Sequence, residues 1–412
     1  YCNRYPIMSK GIPNMSRMND ISLSVAEKQN LGEKIENKMK SNGFDALLVF
    51  GSSNITYLSC GIVFPYLDQK VVQPVALYIC YKTGKRIIVC TNDLADIPKQ
   101  LNWNGEVVIY NLNQQTPELS IAEVLKNYIT GKVAIDENYM TTAQIKALKK
   151  SINGLVTIGG DQVFDDLKLL KTDAEIRLLE IACRMGDRGF VSALNHSEGA
   201  ALDALSYPLW EYAERFRVHV GEYGGSCVGN MVVVQGEDCK ELYARCEPSA
   251  VLNKPGFVRL EYSLHNSGYW VTGSRTVYLG QSNQHAEKVW ENNQTLKNIA
   301  LKNLRPGIKS SEVYNAVRQS SEDLNIPFWG DIDLGHGVGT KERERPFLAP
   351  YDDTLIAEGM VIVLGVYTYG NDNELICNKD VYLVTNGEPR LLNWYKSWND
   401  LYVLHGTSAR HG

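Results

Sequence analysis

The chain has 412 residues, which is long enough to bury two hydrophobic cores, so its length predicts two domains. Hydrophobic residues make up 44% and charged residues 22%, as in ordinary globular proteins. The net charge of −5 gives no overall attraction to nucleic acid or to anionic membranes, and no run of eighteen apolar residues is present, which excludes a membrane-spanning helix.

Residues 1–20 lack the apolar core of a secretory signal, and we expect them to form a disordered lead-in. The nine cysteines include no C-x-x-C pair, and several lie in apolar runs where a buried free thiol is expected. Cysteines of this kind are typical of a reducing compartment, so the sequence predicts a cytoplasmic protein.

Residues 21–165 alternate short apolar runs with amphipathic segments. The apolar runs predict strands at residues 45–50, 75–80, 86–90, 106–110 and 132–136. Helical periodicity predicts helices at residues 26–41, ending before Gly43, and at residues 121–128. This alternation is typical of an α/β domain.

A second domain is predicted from residue 166 to residue 412. Thr172 and Glu175 have the spacing of a capping box, which starts a helix whose apolar face extends to Phe190. We interpret residues 160–171 as the linker before this helix. An α+β fold is indicated by further helices at residues 287–303 and 311–324, mixed with strands at residues 231–235, 257–264, 268–279 and 360–369.

The most informative stretch is residues 261–276, EYSLHNSGYWVTGSRT, together with the turn GHGVG at residues 335–339. Their glycine and hydroxyl spacing is typical of a two-metal hydrolase site, but most of the carboxylates that such a site needs are missing. The two stretches belong to a longer series of landmarks, at residues 171–190, 254–280, 304–317, 335–339, 358–367 and 380–392.

In this order the landmarks resemble the catalytic domain of the creatinase / aminopeptidase P / prolidase family, which has the pita-bread fold. The resemblance covers nearly the whole chain, because that family carries a smaller α/β domain in front of the catalytic one. It implies a homodimer in which the first domain of one subunit closes the site of the other, with Gln73 as a candidate substrate contact.

The resemblance also places the family's metal ligands on this chain. They fall on Glu261, Thr272, His336, Gly365 and Lys379. A carboxylate, a hydroxyl, an imidazole, an absent side chain and an ammonium cannot neutralise two neighbouring divalent ions, and the lysine would repel a cation. We therefore predict a divergent member of the family that binds no metal and no cofactor.

Three residues are the predicted catalytic candidates. His336 is a candidate general acid or base, with a residual turn-holding role as the alternative. Glu261 and Lys379 are expected to pair, so that the ammonium stands where the metal was, either as structural filler or as a base beside an electrostatic stabiliser.

Further substrate contacts are expected around these three residues. Thr272 is a candidate because it stands at one of the family's ligand positions. Arg343 and Glu344 are candidates because they stand where the family has a second histidine and an acidic residue. Arg275 belongs to the family's Arg-Thr pair, and a structural salt bridge is the alternative role for it. Tyr367 belongs to a set of aromatic residues near the pocket, and Cys246 lies near the position of a lost histidine.

The function expected from these residues is metal-independent cleavage of a carbon–heteroatom bond, C–N by analogy with creatinase, in a small polar molecule by acid–base chemistry. One alternative is a catalytically inactive pita-bread scaffold that binds a ligand or a protein partner. The other is a metal-dependent Xaa-Pro peptidase, which would require a different alignment of the ligand positions.

Overall fold

The computed structural model describes residues 22–64, 73–112, 115–129, 131–200, 207–222, 227–243, 249–252, 255–370, 373–394 and 400–404. The expected lead-in at residues 1–20 and the candidate Cys246 lie outside the described residues. None of the helices that the described residues form combines the length and apolar character that crossing a bilayer demands.

The first part of the chain is an α/β unit. Its helices are α1 (Val25–Ser41), α2 (Ser52–Leu58), α3 (Asp96–Gln100), α4 (Pro117–Leu125), α5 (Thr142–Ser151) and α6 (Asp161–Leu169). Its strands are β1 (Ala46–Val49), β2 (Ala76–Cys80), β3 (Lys85–Cys90), β4 (Glu106–Ile109), β5 (Lys132–Ile135) and β6 (Val156–Gly159). The sheet has the order β4-β3-β2-β1-β5-β6, with β2 antiparallel to both of its neighbours.

Local sequence explains where these elements begin and end. Ser24 and Glu27 form a reciprocal capping box at the start of α1, and Gly43, just after its end, has a φ of +74°. The predicted capping box of Thr172 and Glu175 is also present, with both hydrogen bonds formed. The predicted linker before it is instead mostly helix α6, because burial of Phe164 gives this segment an apolar face to pack.

The second part of the chain mixes antiparallel sheets with helices. Its helices are α7 (Asp173–Ala200), α8 (Leu209–Glu222), α9 (Gln284–Asn303) and α10 (Ser310–Asp323). Its longer strands are β8 (Cys227–Gln235), β10 (Gly256–Asn266), β11 (Tyr269–Leu279), β12 (Gly335–Gly337), β13 (Glu344–Phe347), β14 (Val361–Leu364) and β17 (Asp380–Leu383). The two-residue strands are β7 (Tyr207–Pro208), β9 (Val251–Leu252), β15 (Thr368–Tyr369), β16 (Leu375–Ile376), β18 (Arg390–Leu391) and β19 (Val403–Leu404).

Two of its sheets position the candidate site. One has the order β19-β11-β10-β8 and the other β13-β12-β14-β17-β18. They meet where Ser274 of β11 bridges Lys379, which directly precedes β17. The strand predicted at residues 360–369 is divided into β14, which pairs with β12 and β17, and β15, which pairs with β16.

The long hairpin of β10 and β11 has two unlike faces, since side chains alternate along a strand. Leu260, Leu264 and Val271 lie on the apolar face, which belongs to the core packed by α7. Glu261 lies opposite Ser274, and Ser263 opposite Thr272, on the polar face. Alternation therefore brings the predicted site residues to one side of the sheet.

Candidate functional site

The centre of the site is a carboxylate held by three side chains. The Glu261 carboxylate oxygens lie 2.8 and 2.7 Å from the hydroxyl of Tyr367, which donates its hydrogen to them. Lys379 Nζ donates to Glu261 Oε2 at 2.9 Å, and Arg259 Nε lies 3.3 Å from Oε1. The lysine and glutamate predicted to pair are thus in direct contact.

Backbone hydrogen bonds fix Lys379 beside the hairpin. Its N–H donates to the carbonyl of Ser274 at 3.0 Å, and the Cys377 N–H donates to the hydroxyl of Thr276 at 3.1 Å. Its ammonium also lies 4.8 Å from the centre of the Tyr367 ring, a cation–π geometry. The lysine is therefore anchored at both its backbone and its head group.

Lys379 also explains why position 365 is a glycine. A Cβ placed on Gly365 would lie 2.2 Å from Lys379 Cγ and 3.1 Å from Cys377 Sγ, and the first distance is a severe clash. The stem of Lys379 thus occupies the space that a side chain at position 365 would need. The two departures from the family's ligand set are sterically coupled.

Electrostatics keeps this pair ionised. Burial alone would raise the pKa of Glu261, but Lys379 and Arg259 together with the hydrogen bond from Tyr367 lower it below its usual value. Burial alone would lower the pKa of Lys379, and Glu261 raises it above its usual value. Both groups are therefore charged at neutral pH.

His336 is buried on β12, between two glycines that leave no room for a side chain. A Cβ on Gly335 would lie 2.0 Å from the carbonyl oxygen of Val363, and one on Gly337 would lie 2.2 Å from that of Arg345. His336 Nδ1 lies 2.9 Å from the Gly337 carbonyl oxygen. Because a carbonyl only accepts, Nδ1 carries the proton and Nε2 carries the lone pair.

His336 stays neutral over the whole physiological range. Burial lowers its pKa to about 3, and the positive charges of Arg343 and Lys379 act in the same direction. An imidazole with this pKa is a hydrogen-bond acceptor at Nε2 and a very weak base.

Arg343 reaches the same region and pairs with Asp333. Burial raises the pKa of Asp333, while Arg343 and Lys379 oppose the rise without cancelling it. Asp333 therefore lies near enough to both cations to interact with them. No motif marked Asp333 in the sequence, because its partner Arg343 reaches it only through the return of the chain from β12 to β13.

Two more residues of this region were missed from the sequence. Arg259 lies two positions before Glu261 on the polar face and is fully buried, with carbonyl partners at Glu241 and Leu242. The Trp329 ring packs edge-on against Tyr367, with centroids 5.6 Å apart. The period-two alternation of β10 could have identified Arg259, whereas Trp329 follows from tertiary packing alone.

Thr272 offers an unused hydrogen-bonding group. Its hydroxyl oxygen is buried and has no hydrogen-bond partner among the residues that the structure describes. It lies on the polar face of the hairpin, opposite Ser263 and two residues before Ser274 on the same strand. A buried hydroxyl without a partner is a position where a ligand atom can form the missing bond.

Two predicted substrate contacts, Glu344 and Arg275, have their charges paired inside the protein. Glu344 accepts from Lys171 at 3.0 Å, and both side chains are almost fully buried. Arg275 is 1% exposed and bonds the buried carboxylates of Asp187 and Asp380, which matches its structural alternative. Their charges are used inside the protein, so the structure gives neither residue a group to offer a substrate.

Gln73 lies in the α/β unit, where its amide donates to Asp93 at 3.4 Å. It was predicted as a contact across a dimer, and both that contact and the dimer stay predictions.

Among the described residues, no group of three or more His, Cys, Asp or Glu side chains is arranged to hold an ion. The one carboxylate at a family ligand position, Glu261, already faces an ammonium and a guanidinium.

Comparison with known proteins agrees with this architecture. A model of the creatinase/prolidase N-terminal domain matches residues 33–169, and a model of metallopeptidase family M24 matches residues 177–386. A putative dipeptidase of Bacillus subtilis (strain 168) is 24% identical over 381 residues, covering 90% of this chain and 99% of the relative. An Xaa-Pro dipeptidase of Lactobacillus delbrueckii subsp. lactis is 24% identical over 349 residues, covering 82% of this chain and 90% of the relative.

A solved structure has the same fold. The Xaa-Pro dipeptidase from Bacillus anthracis superimposes with a TM-score of 0.76 at 17% identity, covering 92% of this chain and all of that one. The predicted α+β pita-bread domain behind an α/β domain is therefore confirmed. The chain belongs to metallopeptidase family M24, in its creatinase, aminopeptidase P and prolidase branch, with the creatinase-type domain in front.

Proposed function

We propose that this chain binds a small carboxylate-bearing, dipeptide-like molecule in the pita-bread pocket without using a metal pair. The observation that carries the proposal is the contact of 2.9 Å between Lys379 Nζ and Glu261 Oε2. An ammonium is present where the family's chemistry requires divalent cations, and it neutralises the carboxylate that would otherwise ligate them.

The metals that the family name implies do not fit these residues. Two neighbouring divalent ions need several anionic oxygens, and a lysine between them adds repulsion. To ligate an ion, Glu261 would have to exchange its contacts with Tyr367 and Lys379 for that ion. Position 365 could contribute no ligand, because the stem of Lys379 fills the space beside it.

The charges of the site favour an anionic group on the ligand. Arg259, Lys379 and Arg343 contribute three positive charges, against the negative charges of Glu261 and Asp333, while His336 is neutral. Since burial raises the pKa of Asp333, its negative charge is the weaker of the two. One unpaired positive charge therefore remains, and a carboxylate would neutralise it.

The neutral groups suit the remainder of a peptide-like molecule. The hydroxyl of Thr272 lacks a partner, and Nε2 of His336 accepts a hydrogen bond, so together they match an amide or amine. The Trp329 ring beside Tyr367 supplies an apolar wall. Both sequence relatives are named as dipeptidases, and a dipeptide carries a carboxylate together with a peptide bond and an amine.

Acid–base hydrolysis of a C–N bond is the second candidate, and the lone pair at Nε2 of His336 is the observation in its favour. A general acid or base works best when its pKa lies near the working pH. The pKa of His336 is about 3, that of Glu261 is lowered and that of Lys379 is raised. All three are displaced away from neutrality, which favours binding over cleavage.

The test is calorimetric binding of Xaa-Pro and other dipeptides, each beside its C-terminal amide, with and without EDTA or Mn²⁺. We expect binding of free acids in preference to amides, no effect of EDTA or Mn²⁺ on affinity, and loss of binding in Lys379→Met. The exposed Lys302→Met is the matched control and should bind normally.

Product analysis by mass spectrometry decides between the candidates. Metal-stimulated cleavage of a dipeptide would overturn the proposal and support a peptidase. Cleavage that EDTA leaves unchanged and His336→Asn abolishes would support acid–base hydrolysis instead.

A further inference from the structure

A cavity lies in the α/β unit, and its lining includes none of the residues around Glu261 and Lys379. It has a volume of about 510 Å³ and lies between α1, the end of α2, the β2–β3 hairpin and the segment at residues 102–104. This volume is within the range of sites for small organic molecules, roughly 300 to 1,000 Å³. Every residue that lines it lies between positions 23 and 104, so none belongs to the site described above.

Three of the residues that line it each carry a buried hydrogen-bond donor without a partner in the described part of the chain. Tyr81 Oη, Arg86 Nε and Trp103 Nε1 are buried, and none has a hydrogen-bond partner among the described residues. Buried polar groups in folded proteins are nearly always paired, so three on residues that line one cavity require an explanation. Trp103 and Arg86 only donate, and Tyr81 can donate, so the missing partner is an acceptor.

Two of the residues that line the cavity, Arg86 and Lys28, are positively charged. The Arg86 guanidinium lies 5.1 Å from the centre of the Trp103 ring, and Lys28, which donates to the Leu101 carbonyl at 2.6 Å, lines the same cavity. An acceptor that meets an arginine with its Nε free is best satisfied by a carboxylate, whose two oxygens match the guanidinium.

The two glutamates that line the cavity, Glu33 and Glu36, do not reverse its preference for a carboxylate ligand. Glu36 pairs with Lys40 at 2.5 Å, and Glu33 accepts from Gln29 at 3.1 Å, so both are engaged along α1. The guanidinium therefore has no carboxylate partner among the ion pairs formed by the described residues.

Part of the cavity lining is apolar. Leu23, Leu58, Ile62 and Ile79 contribute to it, and each is almost fully buried. A ligand that fills the cavity must accordingly join an acceptor group to a hydrocarbon group of a few carbons.

We propose that this cavity is a second ligand site, which binds a small organic carboxylate through Arg86, Tyr81 and Trp103 and buries its apolar end against the aliphatic wall. Tyr81 and Arg86 are half-buried as whole residues, while their donor atoms are buried, so binding requires each side chain to turn its donor toward the ligand. The site does not depend on the function proposed for the pita-bread pocket.

The test uses the full chain with 4-methylpentanoate and, as a matched neutral probe, 4-methylpentanamide. Affinity is measured by titration calorimetry, and the indole N–H resonance of Trp103, assigned through Trp103→Phe, is followed by NMR. We expect the acid to bind and to shift this resonance, and the amide to bind at least about tenfold more weakly, because it lacks the charge-assisted bond.

Two variants separate the site from general effects on folding. Arg86→Gln should weaken binding of the acid by about tenfold or more, and Tyr81→Phe by about fivefold, since the latter removes one hydroxyl and keeps the ring. The exposed Arg318→Gln on α10 should bind the acid as the unaltered protein does. Binding lost in Lys379→Met but kept in Tyr81→Phe would assign the acid to the pita-bread pocket and overturn the proposal.

Equal binding of acid and amide, an unmoved Trp103 resonance, or no binding of the acid would each overturn it as well. If Arg86→Gln fails to fold, Tyr81→Phe and the Trp103 resonance still decide.

Discussion

Replacing Lys379 with methionine tests whether the ammonium takes over the role of a metal. Methionine keeps most of the stem and removes the charge. At an effective dielectric constant of about 20, charges 2.9 Å apart attract by roughly 6 kcal/mol. Glu261 would lose this attraction while staying buried, with a side chain 13% exposed.

Protonation of Glu261 limits the destabilisation that results from losing the attraction to Lys379. A carboxyl with an ordinary pKa of 4.5 can be protonated at pH 7 for about 3.4 kcal/mol, at 1.36 kcal/mol per pH unit. Arg259 and Tyr367 still favour the ionised form, so the loss should remain below this limit. We therefore expect Lys379→Met to lower the free energy of unfolding by about 2 to 3 kcal/mol at pH 7.

Urea denaturation measures this free energy, with Lys302→Met as the control for a lysine exposed to water. The double variant Lys379→Met with Glu261→Gln should recover most of the loss, because no buried charge is left without its partner. The loss should also shrink as the pH falls toward 5, since protonation of Glu261 becomes easier. A loss below about 0.5 kcal/mol, or a double variant as unstable as the single one, would refute the reasoning.

Two further predictions concern the neighbours of this pair. Gly365→Ala should lower the free energy of unfolding by about 1 to 3 kcal/mol, because its Cβ would lie 2.2 Å from Lys379 Cγ; in a Lys379→Ala background, which lacks that atom, the added loss should be much smaller. His336 should lower stability progressively as the pH falls from 6.5 toward 3, because its folded pKa of about 3 makes the unfolded state bind the proton first; His336→Asn should flatten this part of the profile.

Both predictions have outcomes that contradict them. An equal loss from Gly365→Ala with and without the lysine side chain would show that the clash lies elsewhere. An imidazole resonance of His336 that titrates between pH 6 and 7 would show that the ring is hydrated and not buried neutral.

Strands and helix starts could be predicted from the sequence because their determinants are local. The strand predicted at residues 106–110 forms at Glu106–Ile109, and the capping box of Thr172 and Glu175 starts α7 as expected. The segment of α6 was assigned to a linker, because its charges concealed the buried Phe164 and Leu167. Apolar spacing in so short and charged a segment is a weak signal.

The site could be predicted only where the pattern of the hairpin carries it. Glu261 and Thr272 lie on one face of the hairpin because side chains alternate along each of its paired strands. The same alternation places Arg259, two residues before Glu261, on the polar face. The pair of Asp333 and Arg343 depends on how β12 turns back into β13, which no local pattern records. Glu344 was expected at the site together with Arg343, but it begins β13 and pairs with Lys171.

The clash between Lys379 and any side chain at position 365 restricts which substitutions these two positions can accept. A glutamate restored at position 365 would collide with the lysine stem. Removing the lysine first would leave Glu261 buried with one cationic neighbour fewer and nothing yet in its place. Either single step passes through a less stable intermediate, so a change of both positions requires paired mutations. A substitution at one position is therefore constrained by the residue at the other, and selection for stability alone will preserve the pair of Gly365 and Lys379.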